Sequence, residues 1–75
     1  MSIERFGEKL KTLRLQKGLT TRELARYLHT TNSQISRVEN GLRKPSAELI
    51  LQAADYFNVS LDKLMRDELD LEKRP

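Results

Sequence analysis

The sequence predicts an all-α fold, a compact bundle of five short helices, and three of its features carry that prediction. Apolar residues recur at steps of three and four, the spacing of one helix face. Ser or Thr stands ahead of these stripes where an N-cap is needed, and Gly18, Gly41, Pro45 and Asn58 stand where helices stop. No alternating run rich in Val, Ile or Thr marks a strand, and neither an internal repeat nor a low-complexity segment interrupts the pattern.

Ile3, Phe6, Leu10 and Leu13 form the stripe of a first helix over 3–17, with Ser2 as its N-cap and Gly18 as its C-terminal stop. Thr20 and Glu23 have capping-box spacing, each side chain satisfying an unpaired backbone N–H, and Leu24, Ala25 and Leu28 supply the stripe of a second helix over 21–28. Thr31 and Gln34 repeat the signature ahead of Ile35 and Val38, which sets a third helix over 32–40, ended by Gly41. Pro45 bars continuation and Ser46 caps; Ala47, Ile50, Leu51, Ala54 and Phe57 then give a fourth helix a wide apolar face, so this helix is expected to be the most buried. Asn58 suits its end. Ser60 caps a fifth helix, Asp62 lies in the first turn where the helix dipole favours an acid, and Leu61, Leu64, Met65 and Leu69 mark its apolar side. Leu61 and Leu64 are assigned to the core, Met65 and Leu69 to a partner surface. Residues 1–66 are read as one domain and 67–75 as a charged C-terminal extension.

At 75 residues the chain holds a single domain with a thin core. It has no cysteine and one histidine, which excludes a disulfide framework, a thiol nucleophile and a cysteine zinc site. His29 is read as a turn residue, with no metal, cofactor or catalytic role. Charged side chains from Glu4 to Lys17 leave the first 20 residues without the apolar run of a signal peptide or membrane span, so a reduced, cytoplasmic protein is expected. Net charge is +3, unevenly spread: residues 1–45 hold ten Lys/Arg against four acids, and residues 46–75 hold four against seven. A basic front suits a polyanionic partner, although on charge alone solvated helix faces are the better reading. Asp67, Glu68, Asp70 and Glu72 read as a solvated tail rather than as paired catalytic carboxylates, and no nucleophile, base and oxyanion-donor set suggests an enzyme.

The second and third helices are joined by about three residues, the geometry of a helix-turn-helix. Leu24, Leu28, Ile35 and Val38 supply its internal packing, and Ala25 permits close approach. At 100° per residue Ile35 and Val38 point one way, while Asn32, Ser33, Ser36 and Arg37 point the other, giving a polar outer face.

At Leu10-Lys11-Thr12-Leu13-Arg14, Gly18-Leu19-Thr20, Glu23-Leu24-Ala25, Ile35 to Gly41 and Arg43-Lys44-Pro45-Ser46, ending with Asn58 to Leu64, the chain resembles the phage-repressor and Cro-like helix-turn-helix regulators of the xenobiotic-response-element type. The likeness runs from about residue 5 to 66, and in size the chain is similar to restriction-modification controller proteins. It implies a lambda-repressor-like DNA-binding domain whose third helix lies in the major groove of double-stranded DNA. By resemblance, Asn32, Ser33, Ser36 and Arg37 fall on base-reading positions, and Thr21, Arg22, Thr31, Asn40, Arg43 and Lys44 on phosphate contacts. Side-chain chemistry agrees: Arg bridges guanine O6 and N7, Asn pairs adenine N6 and N7, and Ser allows close approach. Arg14 and Glu39 are implied as an interhelical ion pair. The sequence departs from the family at Thr21, where glutamine is frequent, at His29, where glycine is usual, and at Thr30, where a small apolar residue is usual.

The function this implies is sequence-specific transcription regulation by a repressor or autoregulator, bacterial or phage-encoded. It is expected as a homodimer on a pseudo-palindromic operator, with Met65 and Leu69 at the interface, no small-molecule effector and no membrane. The alternative is an antitoxin or other interaction module of the same fold, with a protein partner on the fifth helix and tail.

Overall fold

The computed structural model describes residues 5–65. Five helices follow one another: α1 Phe6–Gln16, α2 Thr21–Tyr27, α3 Asn32–Glu39, α4 Ala47–Phe57 and α5 Leu61–Met65, with no strand among the described residues. Their starts are set locally. Thr20 and Glu23 form the full capping box of α2, with the Glu23 N–H on Thr20 Oγ1 at 3.0 Å and the Thr20 N–H on Glu23 Oε1 at 2.9 Å. Ser46 Oγ accepts from the Leu49 N–H at 3.1 Å, and Ser60 Oγ from the Lys63 N–H at 3.2 Å. At α3 only half of the expected box forms. Thr31 Oγ1 accepts from the Gln34 N–H at 3.1 Å, but Gln34 Oε1 is turned to the Thr30 hydroxyl at 3.2 Å.

Helix ends follow the same logic. Gly18, Gly41 and Asn58 all adopt the left-handed backbone expected of helix stops, with φ of +69°, +75° and +57°. The start of the first helix needs correction: α1 begins at Phe6, and Arg5 occupies the N-cap position without a side-chain cap. Ser2 and Ile3 lie outside the described residues, as do Leu69 and the stretch 67–75.

The core gathers Phe6, Leu10 and Leu13 of α1, Leu24, Ala25 and Leu28 of the α2 segment, Ile35 and Val38 of α3, Leu49, Ile50, Ala53, Ala54 and Phe57 of α4, and Leu64 of α5. The apolar face of α4 is therefore rotated from the expected one. Leu49 and Ala53 are buried, whereas Ala47 and Leu51 are exposed, because a stripe at 49, 50, 53, 54 and 57 leaves Leu51 beyond its margin. Nor is α4 the most buried helix: α1 buries six of its eleven residues and α4 five. The difference is made by charged side chains that apolar spacing does not count. Lys9 is buried, with its Nζ donating to the carbonyl of Lys63 in α5, and Arg14 is buried by its pairing with α3.

One expectation for α5 also changes. Leu61, assigned to the core, is 39% exposed at the rim of the bundle; Met65 is half-buried beside it. Tyr27 stacks on Tyr56 with ring centroids 5.1 Å apart, and the Lys17 ammonium sits 5.5 Å from the Tyr56 centroid, which joins the end of α2 to α4.

Candidate nucleic-acid interface

The turn between α2 and α3 sets the site. After Leu28 the chain enters the left-handed region at His29, with φ of +58°, and the Thr30 N–H closes back on the Ala25 carbonyl at 2.9 Å. A histidine thus adopts the conformation that the family meets with glycine. Thr31 then caps α3 from an extended backbone, so that Asn32 opens the helix.

Around α3 the split of faces is as expected. Ile35 and Val38 are buried, Asn32, Ser33 and Arg37 are exposed, and Ser36 is half-buried between them. Two of these outer residues are held by neighbours. The Thr21 hydroxyl, at the start of α2, donates to Asn32 Oδ1, and Asn40 Nδ2 donates to Ser36 Oγ at 3.5 Å. Thr21 therefore turns its hydroxyl proton to Asn32, a contact that sequence reasoning did not foresee because it joins residues 11 apart on different helices.

Beyond α3 the Gly41 N–H donates to the Val38 carbonyl at 3.1 Å and the Leu42 N–H to the Arg37 carbonyl at 2.8 Å, a closing turn that projects the exposed loop of Leu42, Arg43 and Lys44. Arg22 on α2 and Thr31 and Asn40 at the two ends of α3 are exposed as well. Exposed cations thus stand on α2, on α3 and on the loop after it.

Two contacts hold α3 against α1. Arg14 Nε and Nη2 donate to the two carboxylate oxygens of Glu39 at 2.8 and 3.1 Å, and Arg14 Nη1 donates to the Leu19 carbonyl at 2.9 Å. The side chains are only 11% and 4% exposed, so the fork geometry operates with little water around it. The second contact was missed by sequence reasoning. Gly7 packs so tightly on α3 that a Cβ there would lie 2.1 Å from the Val38 carbonyl oxygen. The signal was a glycine inside an otherwise good helix former, which commonly marks close backbone approach.

Away from this face, Leu51 is 53% exposed and lines a shallow apolar groove with Ala47, Ile50, Leu61 and Met65. Among the described residues no cluster of His, Asp or Glu could hold a metal ion, and no helix is long and apolar enough to cross a membrane.

The helix-turn-helix family's sequence profile matches residues 10–64. YazB of Bacillus subtilis, described as an uncharacterized HTH-type transcriptional regulator, is 37% identical over 68 residues, which are 91% of this chain and 99% of that protein. RghR of the same organism, an HTH-type transcriptional repressor, is 38% identical over 84% of this chain, which spans only 47% of RghR. Among solved structures, the restriction-modification controller protein C.AhdI of Aeromonas hydrophila superposes with a TM-score of 0.73 at 32% identity, covering 83% of this chain and 94% of that one. A polar helix face beside exposed cations, held by the Arg14–Glu39 pair, and the match over residues 10–64 agree: the chain belongs to the helix-turn-helix family of DNA-binding transcriptional regulators.

Proposed function

We propose that this protein is a sequence-specific repressor or autoregulator that lays α3 in the major groove of double-stranded DNA. One observation carries the reading: Asn32, Ser33 and Arg37 are exposed together, backed by buried Ile35 and Val38, with the exposed cations of the α3–α4 loop beside them. In this reading Asn32, Ser33, Ser36 and Arg37 meet base edges. Arg22, Thr31, Asn40, Arg43 and Lys44 meet the phosphates, together with the residue at the start of α2, Thr21.

A single helix meets too few base pairs to specify a genomic address, so the protein acts as a homodimer on a pseudo-palindromic operator with half-sites about 10 base pairs apart. The apolar groove of α4 and α5 supports pairing, since a second copy would cover exposed Leu51 and Leu61 in both subunits at once. Met65 borders that groove, and Leu69 is assigned to the same surface. The protein acts in the cytoplasm, where its operator is.

Selection from random duplex DNA, followed by binding measurements on the enriched sequence at several salt concentrations, tests the reading. Enrichment of a two-fold related sequence is expected. Equal binding to every duplex would remove the sequence-specific reading.

A further inference from the structure

The fifth helix is too short to hold itself. Leu61–Met65 has five residues, and an isolated helix of that length is not stable in water, so its place is set by what it packs on. Of its three apolar residues only Leu64 is buried, while Leu61 and Met65 line the groove with Ala47, Ile50 and Leu51 of α4. At 100° per residue Leu61 and Leu64 lie about 60° apart around the helix, so a turn of that size would exchange one leucine for the other and leave the core filled. Apolar packing therefore does not choose between them. Lys9 of α1 does. Its side chain is buried, and its Nζ donates to the Lys63 carbonyl, a backbone group of α5 itself. A turn of about 60° moves a backbone atom roughly 2.3 Å from the helix axis by about 2 Å, which breaks that bond, and a buried ammonium gives up a partner at high cost.

We propose that Lys9 is a positioning residue: its bond to the Lys63 carbonyl fixes the rotation of α5, and so presents Leu61 and Met65 to the groove on which two copies pair. The inference rests on the pairing reading above and adds to it a residue outside the groove. A buried charge contributes little net stability, because the loss of its water offsets what its partners return, and its best-attested use is to select one arrangement among several of similar energy. A hydrogen bond suits that task because it is directional, whereas apolar burial is not. Without the ammonium, α5 is free to take more than one rotation, and only one of them builds the groove. Pairing needs that rotation in both copies, so if about a third of the chains hold it the dimer constant weakens about tenfold.

The test compares the full chain with Lys9→Met, which keeps an unbranched apolar stem without the charge. In sedimentation equilibrium the Lys9→Met dimer should be about tenfold weaker, while the thermal midpoint stays level or rises and affinity for a duplex carrying a single half-site is unchanged. The amide resonances of α5, single in wild type, should broaden or double in the variant. An unaltered dimer constant overturns the inference. So does a midpoint or a half-site affinity that falls together with the dimer, or a variant that does not fold, since Lys9 would then hold the whole domain rather than the rotation of α5. A wild-type chain that stays monomeric removes the pairing reading itself, and this inference with it; that result needs no variant.

Discussion

Glu39→Ala tests how α3 is held. The substitution removes both acceptors of the Arg14 fork, at 2.8 and 3.1 Å, and leaves a guanidinium whose side chain is 11% exposed with the Leu19 carbonyl as its remaining partner among these contacts. Breaking one side of a buried pair leaves an uncompensated charge and costs about 3–5 kcal/mol, whereas an exposed pair contributes about 1 kcal/mol or less. The geometry belongs to the first class. A 75-residue domain has a total stability of roughly 4–11 kcal/mol, so the substitution removes a large share of it. Urea denaturation followed by circular dichroism reads this out. With a slope near 1 kcal/mol per molar, as suits a small domain, the midpoint should fall by about 3–5 M, or the variant should already be unfolded. The double variant Arg14→Met/Glu39→Leu removes both charges and should recover most of the loss, because no charge is left buried. A midpoint within about 0.5 M of wild type for Glu39→Ala would refute the reasoning, since it would place the pair in the exposed class.

Gly7→Ala should destabilise by about 1–3 kcal/mol as α1 is pushed from the Val38 carbonyl, and an unchanged thermal midpoint would contradict that close contact. His29→Gly should raise the thermal midpoint by a few degrees: the left-handed backbone at φ +58° costs a non-glycine residue on the order of 1 kcal/mol, partly offset by the greater chain entropy of glycine. A fall in the midpoint would mean the His29 side chain contributes more than the backbone costs. On a selected operator, Arg37→Ala should cost about 1–3 kcal/mol and relax preference at one base pair, while Lys44→Ala should weaken all sequences similarly and reduce the salt slope. The reverse pattern would move the reading surface off α3. Sedimentation of Leu51→Glu against wild type at micromolar concentration should show loss of the dimer with the fold intact, and a dimer that survives the charge would place the interface elsewhere.

Local physics made most of the fold legible. Caps act through hydrogen bonds to residues three positions on, so Thr20, Thr31, Ser46 and Ser60 could be named from spacing, and the left-handed stops at Gly18, Gly41 and Asn58 needed only residue type. The two faces of α3 were likewise determined by helical period, because Ile35 and Val38 are its only apolar residues. Where several apolar residues compete for one core, the period does not choose among them. Leu49 and Leu51 on α4, and Leu61 and Leu64 on α5, are alike in sequence, and only the packing of neighbouring helices decided that Leu49 and Leu64 enter the core while Leu51 and Leu61 line a groove. Contacts between residues distant in the chain were beyond reach for the same reason. Burial of Lys9 by an α5 carbonyl, the approach of Gly7 to Val38 and the bond from Thr21 to Asn32 each depend on where a second helix lies, and that is set by the tertiary fold as a whole.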